Sequence, residues 1–282
     1  MWQPIQEQHA ISQVACIFDF QENLPSKLYR KLVTEAEDLA FSNGLRSRHT
    51  TKTVPLQIDN PEDLAVQIIP PPPPGYIFNS LAGGGDETQA RKRSEQLSVE
   101  ASRLVYNTWV YASWEAMLDR LRALVFPLVE MAMEATPLRV LRLEYQDAFW
   151  YDGPQDEAAA ADLLQKGSPY LSSHIFDQRD LWHCHTGAYL PHGRIGKLLL
   201  QINLDAVDRK YPGRDNDIAR SVKIVTALER RAFMVDPEIL ESEQASSEDD
   251  VVSELNEMHG SLKEVLADII SQEMSERIHL KD

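Results

Sequence analysis

Apolar residues alternate through positions 10–20, with Val14, Cys16, Phe18 and Phe20 on one side and Ile11, Ala15 and Ile17 on the other. Apolar side chains on both faces predict a central strand. Pro25-Ser26 then opens a helix in which Leu28, Leu32, Ala36, Leu39 and Ala40 recur at spacings of three and four, and Asn43-Gly44 is its stop signal. From 45 to 110 the pattern predicts strands and loops: short strands at 56–58 and 64–68, a proline run at 70–74 that forms an edge or stiff turn, core residues Tyr76, Ile77 and Phe78, a glycine hairpin tip at 83–85, and a strand at 96–109.

A second helix begins at the N-cap Ser113 and carries Met117, Leu118, Leu121, Leu124, Val125, Leu128 and Val129 as a wide apolar stripe. Pro127 should bend or divide it. Pro137 leads into a strand over 138–151, residues 158–166 read as a short amphipathic helix, and 182–190, 197–207 and 221–235 read as three antiparallel strands. The order predicts an α+β fold: an antiparallel sheet from a roughly doubled strand, helix and strand-meander pattern, with helices packed on one face. The expected organisation is a domain at 1–235 with related halves at about 1–110 and 111–235, an acidic linker at 236–250, and a C-terminal helix over 251–282.

That helix places Val251, Leu255, Met258, Leu262, Val265, Ile269 and Ile270 on one nearly heptad stripe, interrupted by Gly260. Such a stripe needs cover, either from its own domain or from a partner. Leu255, Met258, His259, Leu262, Val265 and Ile269 are therefore the candidate interaction residues.

Charge sharpens this picture. The chain has a formal net charge of −16 in 282 residues. Fourteen acids against three bases, a net −11, fall within 236–282. A surface of that sign repels phosphate backbones, and the densest basic run, Arg91-Lys92-Arg93, is short, so nucleic acid ranks low among partners. No apolar stretch approaches the roughly 20 residues of a spanning helix, and the N-terminus lacks the pattern of a secretory signal. With two cysteines, Cys16 and Cys184, both in apolar-alternating segments, buried reduced thiols and a cytoplasmic location are expected.

Candidate chemistry is sparse. His183 and His185 project from one face of a strand, and a turn at Pro191-His192-Gly193 could bring His192 beside them, with Asp177, Asp180 or His174 upstream as a fourth ligand. Zinc or another divalent metal is the ion such a group would take; otherwise no cofactor is expected. The same alternation has a plainer reading, in which Trp182 and Cys184 face the core and both histidines face solvent. Arg142 and Glu144 share a face and, with Tyr145, could line a cavity for an anion or small ligand, or else form a solvent-side charge ladder. Asp205 and Asp208 follow an apolar strand, a position suited to metal or acid–base work, although strand-end solubility explains them as well. Gly83-Gly84-Gly85 lacks the trailing Lys-Ser/Thr of a phosphate-binding loop, and no nucleophile motif is present.

Several segments together resemble a sporadically distributed, uncharacterised bacterial protein family of about this length. They are His9-Ala10-Ile11-Ser12-Gln13-Val14, Tyr111 followed by Trp114, Arg142-Leu143-Glu144-Tyr145-Gln146-Asp147, the aliphatic run and acid of 198–205, and the closing helix at 255–271 with His259. The sequence departs from that family at Gln13, where the family carries a carboxylate, and at Leu266, where it carries an aromatic residue. The resemblance implies an α+β fold and no established activity.

The expectation is a non-enzymatic protein-binding or regulatory module. It would act through its acidic surface and C-terminal helix on another, basic protein, as an antitoxin, immunity or defence-associated protein would, or on a second copy as a homodimer. Removal of 237–282 should then leave the sheet folded. The alternatives are a metal-dependent hydrolase using His183, His185 and His192, and a small-anion-binding protein using Arg142, Glu144 and Tyr145.

Overall fold

The structure, a computed structural model, describes residues 1–51, 73–82, 92–192, 196–210, 218–231 and 247–280. The expected strands at 56–58 and 64–68, the glycine tip at 83–85, the turn at 211–213, and most of the proline run and acidic linker lie outside the described residues. The first strands are β1 (Trp2–Pro4) and β2 (Ile11–Phe20), followed by helix α1 (Ser26–Ser42). The stop signal operates as expected: Asn43 caps α1, and Gly44 has φ +90°, which a side chain would strain.

β3 (Ser47–Thr50), β4 (Tyr76–Ala82), β5 (Lys92–Glu100) and β6 (Arg103–Thr108) follow. The single strand read at 96–109 is thus two strands joined by a tight turn at Ala101-Ser102, a reversal that the continuing alternation conceals. Helices α2 (Trp114–Leu124) and α3 (Phe126–Met133) are divided at Pro127, and the Ser113 hydroxyl accepts a 3.2 Å bond from the Ala116 amide at the first N-terminus.

β7 (Leu138–Tyr151) is followed by three short 3-10 turns, Gln155–Glu157, Ala160–Asp162 and Ser173–Asp177. No α-helix forms at 158–166, because the segment is tied into the tertiary structure instead: the Gln165 amide donates to the Ile269 carbonyl and the Ser271 amide to the Leu163 carbonyl. The chain closes with β8 (Trp182–His192), β9 (Gly196–Lys210), β10 (Ile218–Arg231), α4 (Glu248–Ile269) and α5 (Gln272–Arg277).

The ten strands of the described residues join one antiparallel sheet in the order β3-β4-β5-β6-β2-β7-β10-β9-β8, with β1 pairing the end of β7. The β2–β7 ladder makes the sheet continuous between the two expected halves. The register aligns one apolar face across the strands: Cys16 lies opposite Tyr106 and Leu143, Leu143 opposite Leu228, and Leu228 opposite Leu200. These residues are almost fully buried, and they belong to one continuous hydrophobic core. Helices meet this face at Phe41 of α1 against Phe78, Phe126 of α3 against Phe18, and His259 of α4 against Tyr145.

α4 resolves where the C-terminal stripe is covered. Val251, Leu255, Met258, Leu262, Val265, Leu266 and Ile269 are all buried, against β10 and β7 of the same chain. Helix geometry continues through Gly260 and breaks at Ile270, which bridges to Leu164 before Ser271 caps α5. Among the described residues, no helix is long and apolar enough to cross a membrane.

Candidate functional site

A cluster of aromatic, imidazole and carboxyl side chains lies where α4 crosses the sheet. The His259 and Trp114 rings stack, with centroids 4.5 Å apart and planes 11° from parallel. The Trp114 indole N–H donates to Asn256 Oδ1 at 2.6 Å, and the Tyr145 hydroxyl lies 2.9 Å from His259 Nδ1. Tyr111 packs edge-on against Tyr145, and His9 packs edge-on against Tyr111, with His9 Nε2 3.1 Å from the Tyr111 carbonyl. Asp147, two residues along β7 from Tyr145, is 1% exposed, and neither of its oxygens has a hydrogen-bond partner among the described residues.

Each titratable group responds to this dry setting. Burial pushes the Asp147 carboxyl up to about 7. Burial, assisted by the positive charge of Lys263 and partly offset by Glu115, lowers His259 to about 4. Tyr145 is raised well above its ordinary value by burial first and by Tyr111 and Cys16 next, and burial lifts Tyr111 to about 12. A neutral imidazole, two neutral phenols and a protonation-prone carboxyl therefore sit together, so the cluster holds α4 through ring packing and neutral hydrogen bonds. It gathers residues from segments far apart in the chain: His9, Tyr111 and Trp114, Tyr145 and Asp147, and His259. Sequence reasoning treated His259 as an interface residue and gave Asp147 no role. Its position between Tyr145 and Phe149 on the alternating buried face was the available signal.

The outward side of α4 and α5 has the opposite character. Asp249, Glu257, Glu264, Asp268, Glu273 and Glu276 are exposed there. Acids nearer the sheet are tethered: Glu254 accepts from Arg230 at 2.7 Å, and Glu248 lies 3.7 Å from Arg122. The six candidate interaction residues are thus on the inward side, with Leu255, Met258 and Ile269 fully buried, Leu262 and Val265 nearly so, and His259 half-buried. Removal of 237–282 would expose the sheet face that α4 covers, where the sequence led to an expectation that the sheet stays folded.

The histidine group does not converge. β8 continues as regular strand through His192, where a turn was expected, so the His192 backbone lies seven residues beyond His185, about 23 Å along an extended chain. His183 Nδ1 instead lies 2.7 Å from Asp205 Oδ1, on the strand face opposite Cys184, and His185 is exposed. The second aspartate is also engaged, since Arg220 donates to Asp208 at 2.6 Å. Among the described residues, no group of three or more His, Cys, Asp or Glu side chains could hold a metal ion.

Arg142, Glu144 and Tyr145 are likewise separated, because alternation places Tyr145 on the buried face beside His259 and the other two on the opposite face. There Arg142 donates to Glu144 at 2.7 Å, to Glu229 at 3.0 Å and to Gln201, while Arg231 donates to Glu229. Two carboxylates and an amide occupy the Arg142 guanidinium, which is the charge ladder and not an anion cradle. The cysteines are free and buried, and burial raises the Cys16 thiol, which makes it a poor nucleophile. No protein-family model matches this sequence, and no curated protein matches it either.

Proposed function

We propose that this chain is a non-enzymatic protein-binding module that presents the outward acids of α4 and α5 to a basic partner protein. The observation that carries the reading is the two-sidedness of the C-terminal helices: the apolar stripe of α4 is anchored on β10 and β7, while Glu264 and Asp268 of α4 and Glu273 of α5 remain exposed. Fixed like charges steer an oppositely charged partner and reject others, and a rigid frame lowers the ordering cost of docking. In this reading the two strand-meander units, β2 with β3–β6 and β7 with β8–β10, form a platform whose helix-bearing face displays the acids. A basic toxin or effector is the partner class that fits, in keeping with an antitoxin or immunity role.

The test is capture from native-host lysate with wild-type chain and with the triple variant Glu264→Lys, Asp268→Lys, Glu273→Lys. A basic protein retained by wild type at low salt, released by high salt and absent from the variant is the expected result. Identical capture profiles for the two chains would reject the reading.

A further inference from the structure

Among the described residues, the two edge strands of the sheet differ in their defences. β3 is only four residues long, and its Arg48 is paired with Glu37 at 2.6 Å. β8 runs for eleven residues, pairs β9 without a bulge, and contains no Lys, Arg, Asp or Glu in a chain of net charge −16. Along β8, His183, His185, Gly187, Ala188 and Tyr189 are exposed, Tyr189 at 51%, and the preceding Leu181 is 52% exposed. Natural edges are blunted by short length, charge, bulges, interior proline or a covering helix or loop; β8 has Pro191 near its end and contacts with the 3-10 turn Ser173–Asp177, while Gly187, Ala188 and Tyr189 stay exposed. We infer that β8 is a self-association edge, where a second copy of this chain adds its own β8 antiparallel across a two-fold axis.

A second copy fits because the strand is complementary to its own reverse. With the axis at Gly187, Thr186 faces the partner's Ala188, His185 faces the partner's Tyr189, and Cys184 faces the partner's Leu190, each pair formed twice. Small residues occupy the centre, where the two backbones approach first, and the ring pairs flank it. Gly187 is itself required by close packing, since a Cβ there would lie 2.8 Å from the Leu200 carbonyl oxygen. Opposed residues share a face, so the sheet continues across the axis with its buried side kept on one side.

The overall charge does not forbid this pairing. The acids of α4 stand over β10 and β7, and β9 separates β10 from β8. At about 4.8 Å per strand, the two β10 strands of a dimer lie roughly 24 Å apart, about three screening lengths at physiological ionic strength. The dimer would also display two acidic helices on one side, which gives a bivalent surface to the partner proposed above. The pairing itself does not depend on that partner reading.

Sedimentation velocity on the full chain at tens of micromolar tests the inference. Wild type should sediment as a dimer. His185→Lys with Tyr189→Lys places lysine opposite lysine twice and should halve the mass, with far-UV circular dichroism unchanged because both positions are exposed. His185→Lys with Tyr189→Glu places lysine opposite glutamate and should restore the dimer. A monomeric wild type, or a dimer that survives the double lysine variant, overturns the inference. Failure of the Lys/Glu variant to re-dimerise overturns the register centred on Gly187. The triple reversal on α4 and α5 leaves this dimer intact, so the two proposals fail separately.

Discussion

The two faces of β7 treat their polar residues in opposite ways. On one, Arg142 and Glu144 join Glu229, Arg231 and Gln201 in a mutually paired lattice, with Arg142 16% exposed and Glu229 10% exposed. On the other, Asp147 is sealed against water and has no hydrogen-bond partner among the described residues. Charge on the first face is met by opposite charge and residual water, whereas a carboxylate on the second can lower its cost mainly by taking up a proton. Alternation alone assigns each residue its face, and the face then sets its chemistry.

The largest way to break this contrast is to strip the cover from the buried face. Leu255→Ala should cost about 2–5 kcal/mol in urea unfolding, because a fully buried leucine leaves a cavity beneath α4. A cost below 1 kcal/mol would mean that α4 is not an integral part of the core.

Next comes Asp147. Its folded value of about 7 exceeds the unfolded value near 4, so between these pH values the folded chain holds more protons than the unfolded one. Its contribution to stability is therefore fully present at low pH and is lost as pH rises toward 7. Asp147→Asn should remove that decline and stabilise the protein at pH 8 by on the order of 1–3 kcal/mol. His259 works in the other direction: lowered to about 4, it favours the fold as pH rises from about 4 toward 6.5. Asp147→Asn should thus leave a rising stability profile below pH 6.5, and His259→Gln a steeper falling one. Parallel profiles in the two variants would contradict the assignment.

On the paired face the effects shrink. Arg142→Ala leaves Glu144 and Glu229 adjacent without their shared cation and should cost about 2 kcal/mol, with part of the loss recovered in Arg142→Ala/Glu229→Gln. His183→Ala should change stability by less than about 0.5 kcal/mol, because its bond to Asp205 is at a side chain 58% exposed. A loss comparable to that of Arg142→Ala would reveal a role the geometry does not give it.

Patterning made much of the fold legible. The alternation of 10–20, the cap at Ser113, the division at Pro127 and the stop at Asn43-Gly44 are local signals that act through backbone geometry, and each operates at the expected place. Segments whose fate depends on distant neighbours were not legible in this way. Residues 158–166 have helical spacing but form a 3-10 turn at Ala160–Asp162, with Gln165 and Leu163 bonded to Ile269 and Ser271, and β8 outruns the turn that Pro191-His192-Gly193 suggested because β9 continues to pair with it. The site fared similarly: His259, Tyr145 and Trp114 could be named one by one, but nothing in a linear pattern brings residues 114, 145 and 259 into contact.

By itself, the sequence determined the α+β class, the apolar alternation of strands such as β2 and β7 and the acidic, amphipathic nature of the last helix, since these follow from residue order at periods of 2 and 3.6, whereas the short strands β1 and β3 carried no such signal. Only the tertiary structure decided that this helix covers its own sheet, that Asp147 is sealed in the core, that β8 carries the His192 backbone on past His185 without turning back, and that an uncharged strand lies at the edge of the described sheet. Those outcomes depend on register and burial, where desolvation and long-range pairing outweigh the local preferences a sequence displays.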